Sequence, residues 1–451
     1  MELSKYSIIV NNHPKEHEHL VYNTRTQALV KINEELLNFI KTAPLSNKNL
    51  IEKYNDELSS LNQMGILVKN ETEEKNRCEH FFEQIKHETG SKCFHLTILT
   101  TMACNFNCVY CFEKNADSQG HMQISTCELL VKWVKNQPLE EYEEIYVTFY
   151  GGEPLLNTIA IDYLTIYLKM FCDTHHLRFR FCFQTNGYLL KEEMINRYKQ
   201  LGLEQIRISL DGVEEDHDKN RPLKNGGKTF ATIANNIDAL INKTKIGISS
   251  SYQNDDIAHI KKLIHYFKKK GILQKLDRFI FSPIHSIVGK NGAQKIYNKN
   301  DCPRTCKDDH LILASKQIHA FMKEKNLPTK SGLAINMCGL ARDKGSLTIA
   351  PDGKIYKCNS LVGHSQFSVG NIADHKLNDK NLEFINLNVW KKCPQTCPYL
   401  PMCGGGCQLF SYLEHESFGK ENCQKKYLDA LVPTFIKSEY EKLSSAKNDV
   451  S

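Results

Sequence analysis

No run of about 18 apolar residues occurs in the sequence, so nothing has the length that a membrane-spanning helix needs. The first twenty residues, "MELSKYSIIVNNHPKEHEHL", lack the continuous apolar core and small-residue cleavage site of a secretory signal, and a cytoplasmic location is expected. Charge of one sign is missing as well. The 58 basic and 52 acidic residues leave a formal +6, without a basic stripe interleaved with aromatics, which argues against a nucleic-acid partner. No internal repeat or low-complexity tract is present. The 41% hydrophobic and 24% charged content is that of a soluble globular protein, and 451 residues imply two or three packed units.

What the sequence does have is cysteine, seventeen in all. Disulfides are not maintained in the cytosol, so clustered thiols there act as metal ligands or catalysts. Ten of them fall in two clusters, one around residue 108 and one between 338 and 423. In the first, "TMACNFNCVYCFEKN" spaces Cys104, Cys108 and Cys111 as C-x3-C-x2-C, and the next cysteine, Cys127, lies well outside the loop. A closed zinc or ferredoxin site takes four ligands. Three thiolates on a cubane leave one iron open, which is a feature of a catalytic site.

From residue 94 to 285 short apolar runs alternate with stretches of helical period. Strands are expected at 94–101, 144–150, 179–185, 205–210, 245–251 and 278–283. Helices are expected at 159–171, 191–201, 230–241 and 257–270. Six such units make a parallel sheet, either an open doubly wound one or an incomplete (β/α) barrel. The loops after the strands carry, in order, the three cysteines, "GGEP", "NGY", "DG", Tyr252 and "IHS". The carboxyl ends of parallel strands open on one face, so these segments are expected to converge.

Residues 1–75 read as a small α+β module, with strands at "YSIIV" and "HLVYNTRTQALVKI" before two helical stretches, and 76–93 as a charged linker. Near the other end, "SLTIAPDGKIYKC" is a hairpin that fixes Cys358 near Cys338. Cys393, Cys397, Cys403, Cys407 and Cys423 follow. The tail beyond about 438 is read as a fraying helix and then disorder.

"CNFNCVYC", with Tyr110 before the third cysteine, resembles the signature of the radical S-adenosylmethionine (SAM) superfamily, and "GGEP", "QTNG" and "SLDG" after the next three strands strengthen the likeness. The resemblance implies a partial (β/α)6 TIM barrel over 94–290 and a 4Fe-4S cluster on Cys104, Cys108 and Cys111. Its open iron would chelate the amino and carboxylate groups of SAM, and reduction would yield a 5'-deoxyadenosyl radical. Gly151 and Gly152 would let the backbone approach the methionyl amino group, while Glu153 would orient that ammonium or the local loop. Asn186, Ser209 and Arg221 are candidates for the ribose hydroxyls and the carboxylate.

The later cysteines resemble the SPASM extension of the superfamily, over 336–430. Cys338-x14-Gly353-x4-Cys358 and Cys397-x5-Cys403-x3-Cys407 match its pattern, whereas Cys393-x3-Cys397 is one residue too long. By that analogy two auxiliary 4Fe-4S clusters take Cys338, Cys358 and Cys407, and Cys393, Cys397, Cys403 and Cys423. The first has three obvious thiolates, and Cys302 and Cys306, in a bridging region over 291–335, are candidates for its fourth ligand or for a thiol relay. A C-terminal helix and tail occupy 431–451.

Within the superfamily, anaerobic sulfatase maturases carry an Asp after the second auxiliary cysteine, where this chain has Asn359. Maturases of ribosomally made peptides, such as sactipeptide and ranthipeptide synthases, begin with a winged-helix module of three strands and three helices, and residues 1–75 resemble it in element order. That likeness implies a precursor-peptide partner whose leader adds a strand to the module, and a reductant such as flavodoxin or ferredoxin. The expected reaction is a Cys thioether crosslink, with carbon-carbon crosslinking, epimerisation or formylglycine formation as alternatives.

Overall fold

The computed structural model describes all residues except 43, 88–91, 112, 114–119, 254–255, 285–307, 329–331, 375 and 449–451. Cys302, Cys306 and most of the "IHS" loop lie outside the described residues.

The N-terminal part has five strands. β1 (Glu2–Leu3) pairs with β5 (Leu67–Val68), and β2 (Ser7–Val10), β3 (Glu18–Asn23) and β4 (Leu29–Asn33) form an antiparallel sheet in the order β2-β3-β4. The single strand expected over 19–32 is thus a hairpin. Asn23 makes the turn: its side-chain oxygen accepts from the backbone N–H of Arg25 and Thr26 at 3.1 Å each, the Asx geometry that replaces a Gly signal. Helices Glu34–Lys41, Lys48–Lys53 and Asn55–Gln63 cover one face of this sheet, packing Leu36, Phe39 and Leu58 on Val21 and Ile32.

The sheet's other face is buried too. Ile8, Val10, Leu20 and Tyr22 share a core with Leu428, Val432 and Ile436 of the C-terminal helix Lys425–Asn448, and Tyr22 Oη donates to the Leu333 carbonyl at 3.0 Å. That helix continues ten residues past the fraying expected at about 438. Residues 71–87, read as charged and mostly linker, are an α-helix. Its Phe82 stacks on Trp390 with centroids 4.5 Å apart and planes 15° apart, a pairing that contributes about 0.5–1.5 kcal/mol beyond area burial.

The central sheet has nine strands in the order β11-β10-β9-β8-β7-β6-β12-β13-β14. The six expected strands are there: β6 (Cys93–Thr101), β7 (Glu144–Gly151), β8 (Arg178–Thr185), β9 (Leu203–Ser209), β10 (Lys245–Tyr252) and β11 (Arg278–Pro283). All pair in parallel with their neighbours in sequence. The order never reverses, which excludes double winding and leaves the singly wound, partial-barrel alternative. Then come the hairpin β12 (Leu347–Ile349) and β13 (Lys354–Tyr356), as expected, and β14 (Gly370–Asn371). β12 runs parallel to β6, with Leu347 opposite Leu96, so the C-terminal segment extends the barrel's own sheet.

Strand alternation sorts two faces. Ile145, Val147, Phe149, Phe181, Phe183, Ile206 and Ile248 are buried in the main core with helices Ile124–Lys135, Thr158–Thr174 and Phe230–Leu240. The register places His95, Tyr146, Thr148, Cys182, Gln205, Arg207 and Ser249 on the opposite, inner face. An ordinary TIM barrel fills that space with branched apolar side chains; this one lines it with polar groups. The segment Pro154–Thr174 has the length and hydropathy of a membrane span, which no uninterrupted apolar run revealed, but half of it is buried inside the fold as a crossover helix.

Candidate functional site

Four loops meet at the carboxyl ends of β6 to β9. The cysteine loop leaves β6 and returns to it: Met102 N donates to Gly120 O at 3.1 Å and Met122 N to Thr100 O at 2.8 Å. Between these anchors residues 105–109 run beside 220–224. Asn107 N donates to Pro222 O at 2.8 Å, Val109 N to Asn220 O at 3.0 Å, and Phe106 and Leu223 form an antiparallel bridge.

The two glycines of "GGEP" serve this loop. Gly151 has φ of +128°, and a Cβ on it would stand 2.1 Å from the Thr101 carbonyl oxygen; one on Gly152 would stand 2.4 Å from that of Ala103. Gly152 N and Glu153 N donate to those same two carbonyls. Close docking on the cysteine loop therefore demands glycine, a stronger reason than approach to a cosubstrate.

Glu153 is 0% exposed, and of its two expected roles the structure shows the loop-orienting one. Its Oε1 accepts from Leu155 N at 3.1 Å and Thr185 Oγ1 at 2.7 Å, and its Oε2 from Asn186 N at 2.8 Å. Burial raises its pKa to about 7, against the pull of those hydrogen bonds. Asn186 carries the connection onward. Its Nδ2 donates to Asn105 Oδ1 at 2.8 Å and lies 3.9 Å from Cys104 Sγ. Ser209 closes the inner end of β9 opposite Ser249.

Arg221 sits against the same loop. Its Nε donates to Asp211 Oδ2 at 2.9 Å, its guanidinium lies 5.3 Å from the Tyr110 ring centroid, and its charge acts on Cys108 and Cys111. Asp211 is the keystone that sequence reasoning left without a role. It is 0% exposed, its Oδ1 accepts from Ser251 N at 2.8 Å, and Tyr110 Oη donates to its Oδ2. One carboxylate thus ties the loops after β6 and β9 to the end of β10. The signal was present in "SLDG", but its partners are distant in sequence.

Asp211→Asn is expected to cost about 3–5 kcal/mol, because it leaves the buried guanidinium of Arg221 without its counter-charge. Urea unfolding of the metal-free protein measures this; a loss under about 1 kcal/mol shows that the charge is dispensable.

The seven described cysteines from Cys338 to Cys423 gather as two groups. Cys338 interacts with Cys358 and Cys407, and Cys393 with Cys397, Cys403 and Cys423. Burial comes first, and neighbouring thiols add to it, in raising Cys104, Cys338 and Cys393 each to about 12. Such thiols do not ionise together without a cation, whereas metal-bound thiols are deprotonated. Among the described residues no three Cys, His, Asp or Glu side chains are arranged to hold a single metal ion.

The fold and this site define an α/β protein whose thiol-bearing loop and carboxylate-stitched companions stand at the strand ends. The family model for the Radical SAM superfamily matches residues 98–272. Those residues carry a radical SAM domain, of the superfamily that uses a 4Fe-4S cluster with SAM, and the loop of Cys104, Cys108 and Cys111 lies within it. Among curated proteins, the chain is 28% identical over 368 residues to the cysteine-type anaerobic sulfatase-maturating enzyme of Clostridium perfringens, covering 74% of this chain and 94% of that protein. Among solved structures it is similar to anSMEcpe with bound AdoMet and Cp18Cys peptide (TM-score 0.60, 22% identity, 77% of this chain and 99% of that one). It is also similar to Streptococcus suis SuiB bound to precursor peptide SuiA (TM-score 0.54, 15% identity, 94% and 99%). At these identities the two structures show a shared fold.

Proposed function

We propose that this enzyme modifies a ribosomally made precursor peptide by installing a thioether crosslink from one of its cysteines. The observation that carries the proposal is the group of Cys338, Cys358 and Cys407, three thiols where a closed cubane takes four. Two auxiliary 4Fe-4S clusters fit the two C-terminal groups, and this one would keep a corner for a substrate thiolate. Bound at the first loop, the cluster and SAM supply a 5'-deoxyadenosyl radical. That radical would require one electron from a reductant such as flavodoxin or ferredoxin; crosslinking would then remove a hydrogen atom from carbon, as 5'-deoxyadenosine, a proton from the substrate thiol and one electron, which a cluster held by Cys338, Cys358 and Cys407 would take up.

Residues 1–75 act in this reading as a winged-helix-like leader-binding module. β4 is an edge of its sheet, where a leader strand adds. The likeness to the SuiB complex extends over 94% of the chain against 77% for anSMEcpe, which supports a module that the latter lacks. Formylglycine formation is the second reading, favoured by the 28% identity to the sulfatase-maturating relative. Against it stands Asn359, whose Oδ1 accepts from Thr348 Oγ1 at 2.6 Å and which offers no carboxylate base.

Anaerobic co-expression with small peptides encoded beside the gene tests the proposal by mass. The expected result is a loss of two hydrogens per modified site, fragmentation that locates a Cys sulfur as acceptor, and no change when the leader half is removed. No loss in any neighbouring peptide, or a product without sulfur linkage, overturns the thioether assignment. Equal modification of leaderless peptide overturns the module's role.

A further inference from the structure

The inner face of the barrel carries a second arrangement, below the strand ends where the cysteine loop sits. A cavity of about 410 Å³ lies there, lined by His95, Tyr146, Thr148 and Arg207 and by Arg342 and Lys344 from the segment before β12. Arg207 is two residues from the end of β9, so the cavity begins about 7 Å below the site by strand rise.

Its charge is unbalanced. Among the described residues Arg207 has one side-chain partner, the amide oxygen of Gln184 at 3.3 Å, and its Nε is buried with none. The Nε of Arg342 is likewise buried without a partner. The surrounding carboxylates are already taken: Glu144 by Arg178 and Arg180, Glu204 by Arg180, and Glu141 by Lys344. Two guanidinium groups therefore line one cavity, each with a buried Nε that has no partner among the described residues. Leaving a buried donor unmade costs about 1–3 kcal/mol, and more for a charged group. A planar fork recovers this best from a carboxylate, bound through two parallel hydrogen bonds. The ring faces of Phe94, Tyr142 and Tyr146 on the same wall suit the methylenes of a short acid.

We propose that this cavity is a carboxylate-binding site, with Arg207 and Arg342 as its anion-holding residues. The carboxylate comes either from an acidic residue of a peptide that fills the barrel or from a small free dicarboxylic acid. Neither source depends on which bond the enzyme forms.

Calorimetric titration of the full-length, cluster-reconstituted protein tests it with glutarate, its neutral diamide, inorganic phosphate and the blocked tripeptide acetyl-Ala-Glu-Ala-amide. The expected result is binding of glutarate or of the tripeptide and none of the diamide. Arg207→Gln is expected to weaken that binding about tenfold or more, the equivalent of one lost charged hydrogen bond. Arg342→Gln, on a segment outside the six-stranded barrel, repeats the test if the first variant fails to fold. Binding of glutarate alone identifies a free acid, and binding of the tripeptide an acidic peptide residue. Equal binding of the diamide, tighter binding of phosphate, no binding of either acid, or unchanged affinity in the variants overturns the assignment. The readout is independent of SAM cleavage and of peptide mass, so it fails separately from the peptide-modifying proposal.

Discussion

Cys104→Ala is expected to abolish the formation of 5'-deoxyadenosine from SAM, lowering its rate by at least about a thousandfold, as when one member of a group that acts as a unit is removed. Cys104 is the thiol at which the loops meet. Its Sγ accepts from Phe106 N at 3.4 Å and stands beside the Asn186 amide, which is itself positioned by Glu153. Two thiols cannot replace three on a cluster, and Cys127 is buried in the helix after the loop, out of reach. Iron should fall by one cluster's content only, because the groups at 338–423 are built on other elements. Anaerobic chromatography of the nucleoside and iron analysis check both halves. Persistent cleavage places the catalytic cluster elsewhere, and loss of all iron shows that the three sites do not load independently.

The barrel was legible because its chemistry repeats. Each strand carries Ile, Val or Phe at alternate positions for the helix layer, and each is followed by a loop with Gly, Asn or Asp. The helix at 71–87 was not legible, and the reason lies in four residues. Its buried stripe is Glu74, Cys78, Phe82 and Lys86, spaced by four, but two of these are ionisable. Glu74 is accommodated by Ser4 Oγ and by Lys5 N at 3.2 Å, and Lys86 Nζ donates to Asn388 Oδ1 at 3.1 Å. Polar partners that arrive from elsewhere in the chain turn a charged sequence into a core helix. Asp211 and Glu153 follow the same rule. Their motifs were visible, but apart from Leu155 N the groups that satisfy them come from 10 to 101 residues away. The N-terminal module shows the limit of reading a domain by element order. Its sheet is buried on both faces, so Tyr22 and Leu20 belong as much to the C-terminal helix as to their own helices. Excision of 1–75 would expose that shared core, which is why the leader is altered in the test rather than the module.

Cys407→Ala is expected to leave peptide-independent SAM cleavage within about twofold of wild type while eliminating the crosslinked product, an effect on the second half-reaction alone. The backbone explains how Cys403 and Cys407, four residues apart, serve different groups. Gly404, Gly405 and Gly406 lie between them with φ of +59°, +93° and +81°. Side chains other than glycine rarely hold such a run, and a Cβ on Gly406 would stand 2.0 Å from the Asn422 carbonyl oxygen. This left-handed turn sends Cys403 toward Cys397 and Cys423, and Cys407 toward Cys338 and Cys358. Removing Cys407 takes one of three protein thiols from the group proposed to bind the substrate's own, without touching the loop of Cys104. Peptide mass and nucleoside yield, measured in the same anaerobic reaction, separate the outcomes. Crosslinked peptide at the wild-type rate excludes this group from product formation. Loss of cleavage along with product makes its role structural, since a group that only holds substrate sulfur and accepts an electron has no part in forming the radical.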